Sequence, residues 1–163
     1  GASVEDCAGR GPDDIYDMGL AAERVAAAAE AAHRDGARFV LTARSENYIR
    51  QRPDLADTIK RLQAYQTAGA DVVYAPGVSA PGDIRAIVES VDLPVNVLAL
   101  PGVPSVAELG ALGVARVSIG GAFSYVALGA AADAAREFLE HGTYGFSSMA
   151  SAGAKIAREA FTT

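Results

Sequence analysis

Glu5, Asp6, Arg44 and Glu46 are the residues whose types and spacing best suit chemistry, because each follows or closes an apolar run of strand character. Glu5 and Asp6 are neighbours, so in an extended segment they point to opposite sides and one at most faces a given site. A carboxylate there could hold Mg²⁺ through an oxygen or through a bound water, since a hard cation takes such ligands; alternatively, the pair marks the exit of a strand into solvent. Arg44 closes the run "FVLTAR". Its guanidinium stays charged and presents a planar fork of donors that matches a carboxylate or a phosphonate. At the end of a buried strand such a charge needs a partner, because an unpaired buried charge is costly. Glu46, two residues on, can share a face with Arg44. An internal ion pair with Glu46 or Glu5, and an anion site oriented by that pair, are compatible readings.

The remaining polar groups make weaker candidates. Cys7 follows the acidic pair but has no histidine near it in sequence, so little supports a nucleophile. His33 and His141 fall near the ends of helical stretches and suit capping or solvent-facing roles better than metal ligation. Ser45, Asn47 and Tyr48 are loop polars. Ser105, with Glu108 three residues later, has the spacing of a capping box. The glycines of "SIGGAFSY" could offer backbone N–H groups to an anion or allow tight strand–helix packing.

The elements that must position these groups form a β-α alternation. Runs rich in Val and Ile at 2–5, 38–43, 71–75, 94–100 and 116–119 read as strands. Helical patterns fill 20–34, 54–68, 80–91, 105–112 and 125–140. Gly36, Gly69 and Gly113 each stand between a helical pattern and the next strand, where a left-handed C-cap is wanted. Strands that are apolar nearly throughout should be covered on both faces, as in a parallel sheet. A doubly wound dinucleotide fold needs a glycine fingerprint after its first strand. "CAGRGPDD" lacks that spacing. The expected fold class is therefore α/β, a (β/α)₈ TIM-type barrel, of which five strands are present. In either fold, functional groups gather at the carboxyl ends of the strands, where Glu5, Arg44 and Glu46 lie.

Composition agrees with a folded globular unit, or part of one. Half of the 163 residues are hydrophobic, which argues against disorder, and a net charge of -6 without a basic run argues against nucleic acid. No stretch is long and apolar enough to span a bilayer. A single cysteine suits a reducing compartment, and a cytoplasmic location is expected.

Taken in order, "GASVED", "FVLTARSE", "AGADVVYAPG", "LPVNVLALPG" and "LGVARVSIGG" resemble the isocitrate lyase and phosphoenolpyruvate mutase superfamily, in particular members named for carboxyvinyl-carboxyphosphonate phosphorylmutase. The likeness implies a (β/α)₈ barrel assembling as a homotetramer, with "SVED" ending the third strand, so that residues 1–163 form the C-terminal portion of one barrel domain. It implies that Glu5 stands near a Mg²⁺ ion, Arg44 binds the substrate anion, and Glu46 is the acidic position of the Ala-Arg-x-Asp/Glu motif. The implied activity is Mg²⁺-dependent lyase or mutase chemistry: cleavage of a C–C or P–C bond in a small 2-oxo acid, dicarboxylate or phosphonate through an enolate. An oxaloacetate-type C–C hydrolase and a non-catalytic barrel are the alternatives. The chain departs from the family in lacking the Lys-Arg-Cys-Gly-His loop of the lyases. Ala75 occupies roughly the position of the mutase histidine. Both departures argue against isocitrate lyase and phosphonopyruvate mutase proper.

Overall fold

The computed structural model describes residues 1–9, 11–36 and 39–162. They divide into two compact units, Gly1–Ile119 and Gly120–Thr163. In the first, strands β1 (Ala2–Glu5), β2 (Leu41–Arg44), β3 (Val72–Tyr74), β4 (Val95–Leu98) and β5 (Arg116–Ser118) alternate with helices α1 (Met18–Ala32), α2 (Leu55–Thr67), α3 (Pro81–Ser90) and α4 (Val106–Ala111). The strands form one sheet in the order β1-β2-β3-β4-β5, every pair parallel. A doubly wound sheet reverses its strand order at a switch point. Here the order never reverses among the described strands, as in part of an α/β barrel.

Local chemistry explains the boundaries. Asp17 and Asp54 cap α1 and α2, accepting hydrogen bonds from the Gly19 and Asp57 N–H groups. Pro81 occupies the first turn of α3, where its missing N–H costs nothing. Ser105 and Glu108 form the expected capping box on α4. Gly36, Gly69 and Gly113 all take positive φ, of 71°, 97° and 90°. At Gly113 two constraints coincide, since a Cβ there would also approach Val88 Cγ1 to 2.9 Å. The expected start of the second strand, at Arg38, lies outside the described residues. Phe39 and Val40 precede β2, and the strand extends to include Arg44.

Alternation along the strands separates two faces. Leu41, Ala43, Val73, Val95 and Val97 join Val25, Leu62, Tyr65, Ile84, Ile87 and Leu109 from the helices in one core. Burying a side chain such as Leu62 fully contributes about 2 to 3 kcal/mol. Thr42, Arg44, Tyr74, Asn96 and Arg116 belong to the alternate set, so the strands are less uniformly apolar than their sequences suggest. Pairing places Glu5 opposite Arg44, Arg44 opposite Tyr74, Tyr74 opposite Asn96 and Asn96 opposite Arg116. One residue from each strand thus contributes to a single row across the sheet.

The second unit holds two helices, α5 (Ala122–His141) and α6 (Ser147–Ala160). Gly142, at φ 63°, ends α5, and Glu137 fastens the turn by accepting from the Thr143 hydroxyl and the Gly145 N–H, both at 2.6 Å. Tyr144 lies between Phe138 and Phe146, with ring centroids 5.9 and 6.5 Å away. The sequence pattern marked α5 but not α6 as a separate element.

Candidate functional site

The two neighbouring acids are turned to different environments, as alternation requires. Asp6 is 3% exposed, whereas the Glu5 side chain is 39% exposed. Asp6 is a structural anchor. Its Oδ1 accepts the Glu46 N–H at 2.8 Å, and its Oδ2 accepts the Tyr65 hydroxyl at 2.6 Å and an Arg61 N–H at 3.2 Å. Arg61 also donates to Asp57 at 2.8 Å and to the Tyr16 carbonyl at 3.0 Å. Tyr65 and Arg61 stand one turn apart on α2, so one face of that helix holds the carboxylate that fixes the backbone of Glu46. Burial, together with the adjacent Asp6 carboxylate, pushes the Tyr65 phenol far above its ordinary value, so it acts as a fixed donor.

The turn after β2 is fixed from the other side by Asn47. Its amide donates to Asp57 at 2.9 Å and to Thr58 Oγ1 at 3.1 Å. Arg50 N–H donates to the Glu46 carbonyl, and Ser45 N–H to the Tyr74 carbonyl. Gly77 fits tightly against this turn, where a Cβ would lie 3.0 Å from the Ile49 nitrogen.

Within that frame Arg44, Glu5 and Glu46 come together. Arg44 Nη1 lies 2.8 Å from Glu5 Oε1; its Nε and Nη2 lie 2.9 and 2.8 Å from Glu46 Oε1. Its guanidinium carbon is 5.1 Å from the centroid of the Tyr74 ring, within reach of a cation–π contact. Arg50 is a fourth member. Its Nη2 lies 3.2 Å from Glu46 Oε2, 3.7 Å from Glu5 Oε2 and 3.6 Å from Cys7 Sγ. Two carboxylates are thereby met by two guanidinium groups. Burial raises the Glu46 carboxyl above the usual range, with Arg44 acting in the opposite sense. Burial likewise pushes the Cys7 thiol up, against a smaller opposing effect from Arg50, which disfavours the thiolate.

Glu5, Cys7 and Glu46 each offer a ligand atom, all within 4.8 Å of one another, and such a cluster could hold a divalent metal. Glu46 Oε2 is buried and without a hydrogen bond, although Arg50 lies close by. Glu5, partly open to solvent, is the better oxygen donor for a hard ion; a neutral thiol is a poor one. The oxygen donors of the set therefore fit a hard divalent cation, with Glu5 as the more accessible carboxylate.

Other candidates lie elsewhere. His33 Nε2 pairs with Asp71 Oδ2 at 2.9 Å at the opposite end of the strands, and His141 ends α5. Arg50, Arg61, Tyr65 and Arg116 were not singled out by sequence. The spacing of Arg50 four residues after Glu46 is one signal that could have been used.

A sequence profile of the phosphoenolpyruvate phosphomutase family matches residues 1–139. The chain belongs to that family. An uncharacterised protein of Mycobacterium tuberculosis is 38% identical over 137 residues, covering 83% of this chain and 50% of the relative. This chain thus spans about half the length of the curated relatives it matches. A crystal structure from Burkholderia cenocepacia, provisionally designated a lyase/mutase, is 49% identical with a TM-score of 0.85, covering 90% of this chain and 53% of that one. A second protein of that organism, provisionally designated a phosphonomutase, is 34% identical with a TM-score of 0.75, covering 86% and 57%. Membership of the isocitrate lyase and phosphoenolpyruvate mutase superfamily, expected from the ordered motifs, therefore holds. Among the described residues, no helix is long and apolar enough to cross a membrane.

Proposed function

We propose that the complete protein is a Mg²⁺-dependent lyase or mutase-type enzyme that cleaves a C–C or P–C bond of a small 2-oxo acid, dicarboxylate or phosphonate. The observation that carries this reading is the clasp of Arg44 by Glu5 and Glu46 at the carboxyl end of β2. The clasp fixes the guanidinium plane, so that a substrate anion meets donors already oriented. Glu5 faces the same point and would hold the ion, largely through water. Glu46 orients Arg44 and is itself fixed through its N–H by Asp6. When bound, Mg²⁺ supplies Lewis-acid stabilisation of the negative charge that develops on the substrate oxygen.

Charge balance favours joint binding of ion and substrate. Glu5, Glu46, Arg44 and Arg50 sum to no net charge, so a lone divalent cation would leave the site positive. A chelating dianion restores neutrality. The same reading carries a closed (β/α)₈ barrel of which residues 1–163 are one portion of a single domain, a homotetramer, and a cytoplasmic location.

The test is release of pyruvate or a related oxo acid from a panel of dicarboxylates and phosphonates by the full-length protein. Activity is expected to vanish with a chelator and return with Mg²⁺. Arg44→Lys, which keeps the charge but loses the fork, is expected to lower kcat/KM by roughly 10- to 100-fold. Inactivity across the panel together with no Mg²⁺ binding would favour a non-catalytic barrel.

A further inference from the structure

Arg116 stands on the same row as Arg44 but under a different charge balance. Its Nε donates to Asn96 Oδ1 at 2.8 Å and its Nη2 to Thr42 Oγ1, also at 2.8 Å. Both acceptors are neutral. Among the described residues Arg116 forms no ion pair, whereas Arg44 and Arg50 are each shared between Glu5 and Glu46. The acceptors are also firmly placed. Asn96 is 2% exposed and Thr42 4%, and the Asn96 amide donates to Ser118 Oγ at 2.9 Å, which turns its carbonyl toward Arg116.

The Arg116 guanidinium reaches the strand that carries Arg44 although the two backbones are three strands apart. Arg116 reaches from β5 to Thr42 on β2, the strand that also carries Arg44. Residues two apart on a strand share a face and lie about 7 Å from one another. The Tyr74 ring, against which Arg44 rests, occupies the row between them. A small dicarboxylate or phosphono-carboxylate is comparable in length to that same-face spacing along β2.

We infer that Arg116, oriented by Asn96 and Thr42, is a second anion-binding group, receiving the far carboxylate or phosphonate of a dianion whose other end lies beside Arg44. This rests on the function proposed above and adds to it the selection of dianions over monoanions. The reason is electrostatic. The positive charges of Arg44 and Arg50 are met by Glu5 and Glu46 before any substrate arrives, so beyond the ion it is Arg116, with no carboxylate partner among the described residues, that adds positive charge for a second anionic group. Held through Nε and one Nη, it keeps further N–H donors available for an anion.

The experiment compares succinate, phosphonoacetate and the monoanion butyrate as probes, by calorimetric titration of the full-length protein with Mg²⁺ present. Wild type is expected to prefer succinate and phosphonoacetate to butyrate. Arg116→Met is expected to weaken the two dianions about 10- to 100-fold while butyrate changes by less than about 3-fold. Arg116→Lys should fall between. Asn96→Asp, which leaves Arg116 in place but neutralises its charge, is expected to weaken the dianions in the same selective way. A general loosening of the sheet would lower all three affinities together. Parallel loss for dianion and monoanion, no loss in the Asn96→Asp protein, or a wild type that does not prefer dianions overturns the inference. Failure of the proposed function is separately visible as wild-type inactivity on the substrate panel. Failure of this inference alone leaves an active enzyme whose dianion preference survives Arg116→Met.

Discussion

Substituting Glu5 and Asp6, adjacent acids of the same strand end, should have opposite consequences. Asp6→Asn removes the charge that meets Arg61 and leaves an amide where three donors, from Glu46, Tyr65 and Arg61, now converge at 2.8, 2.6 and 3.2 Å. Breaking a buried pair by removing one partner costs about 3 to 5 kcal/mol. Arg61 keeps Asp57 at 2.8 Å, so the lower end applies, about 3 kcal/mol. Glu5 is a partly exposed member of its cluster, and exposed pairs contribute about 0 to 1 kcal/mol, so Glu5→Gln should cost under about 1 kcal/mol. Its effect should fall on Mg²⁺-dependent turnover instead. Urea unfolding of the full-length variants gives both values, provided that the slopes against denaturant match wild type. Equal destabilisation by the two substitutions, or a loss below about 1 kcal/mol for Asp6→Asn, would refute the assignment of Asp6 as anchor and Glu5 as site residue.

Three further outcomes follow from particular contacts. Burial tends to raise the Asp71 carboxyl, but hydrogen bonds from the Leu41 N–H and His33 outweigh it, leaving the group below the ordinary range. A carboxylate depressed in the folded state contributes stability that is present above its unfolded value, about 4, and lost as pH falls through the folded value. The stability gap between wild type and Asp71→Asn should therefore narrow between neutral pH and pH about 3, and an unchanged gap would exclude that contribution. Gly113→Ala, at positive φ and with Val88 Cγ1 2.9 Å from the new Cβ, should destabilise by about 2 kcal/mol or more. Gly110→Ala, inside α4 with nothing within 4 Å, should stabilise by up to about 1 kcal/mol, and the sign of the difference in thermal melts decides the point.

The alternation of strands and helices, the positive-φ glycines and the Ser105–Glu108 capping box were legible because each depends on a few consecutive residues. Arg44 was legible as well, since a charge that closes an apolar run has few inexpensive places to go. Arg61 and Tyr65 were not, because an arginine and a tyrosine one turn apart on a helix look like ordinary amphipathic surface. Only the packing of α2 shows that both end on Asp6. The second compact unit was legible in one helix; α6 is amphipathic, but it is built mainly of Ala, Ser and Gly with few large apolar residues, so no apolar run marked it as a separate element.

By itself, the sequence determined that Glu5 and Asp6 must point apart and that Glu46 could lie on the same side as Arg44, because strand geometry has a period of two. Which acid met Arg44 and which was buried against α2 was decided by tertiary structure. The same holds for the row from Glu5 to Arg116, which exists only through the register of four strand pairs. Register is set by which face packs on the helices, and a slip of one residue would turn Arg44 and Arg116 into that apolar core. The bond from Arg116 to Thr42 spans 74 residues, and that from Tyr65 to Asp6 spans 59. No local pattern encodes such distances, because the cost of closing those loops is met by the whole core.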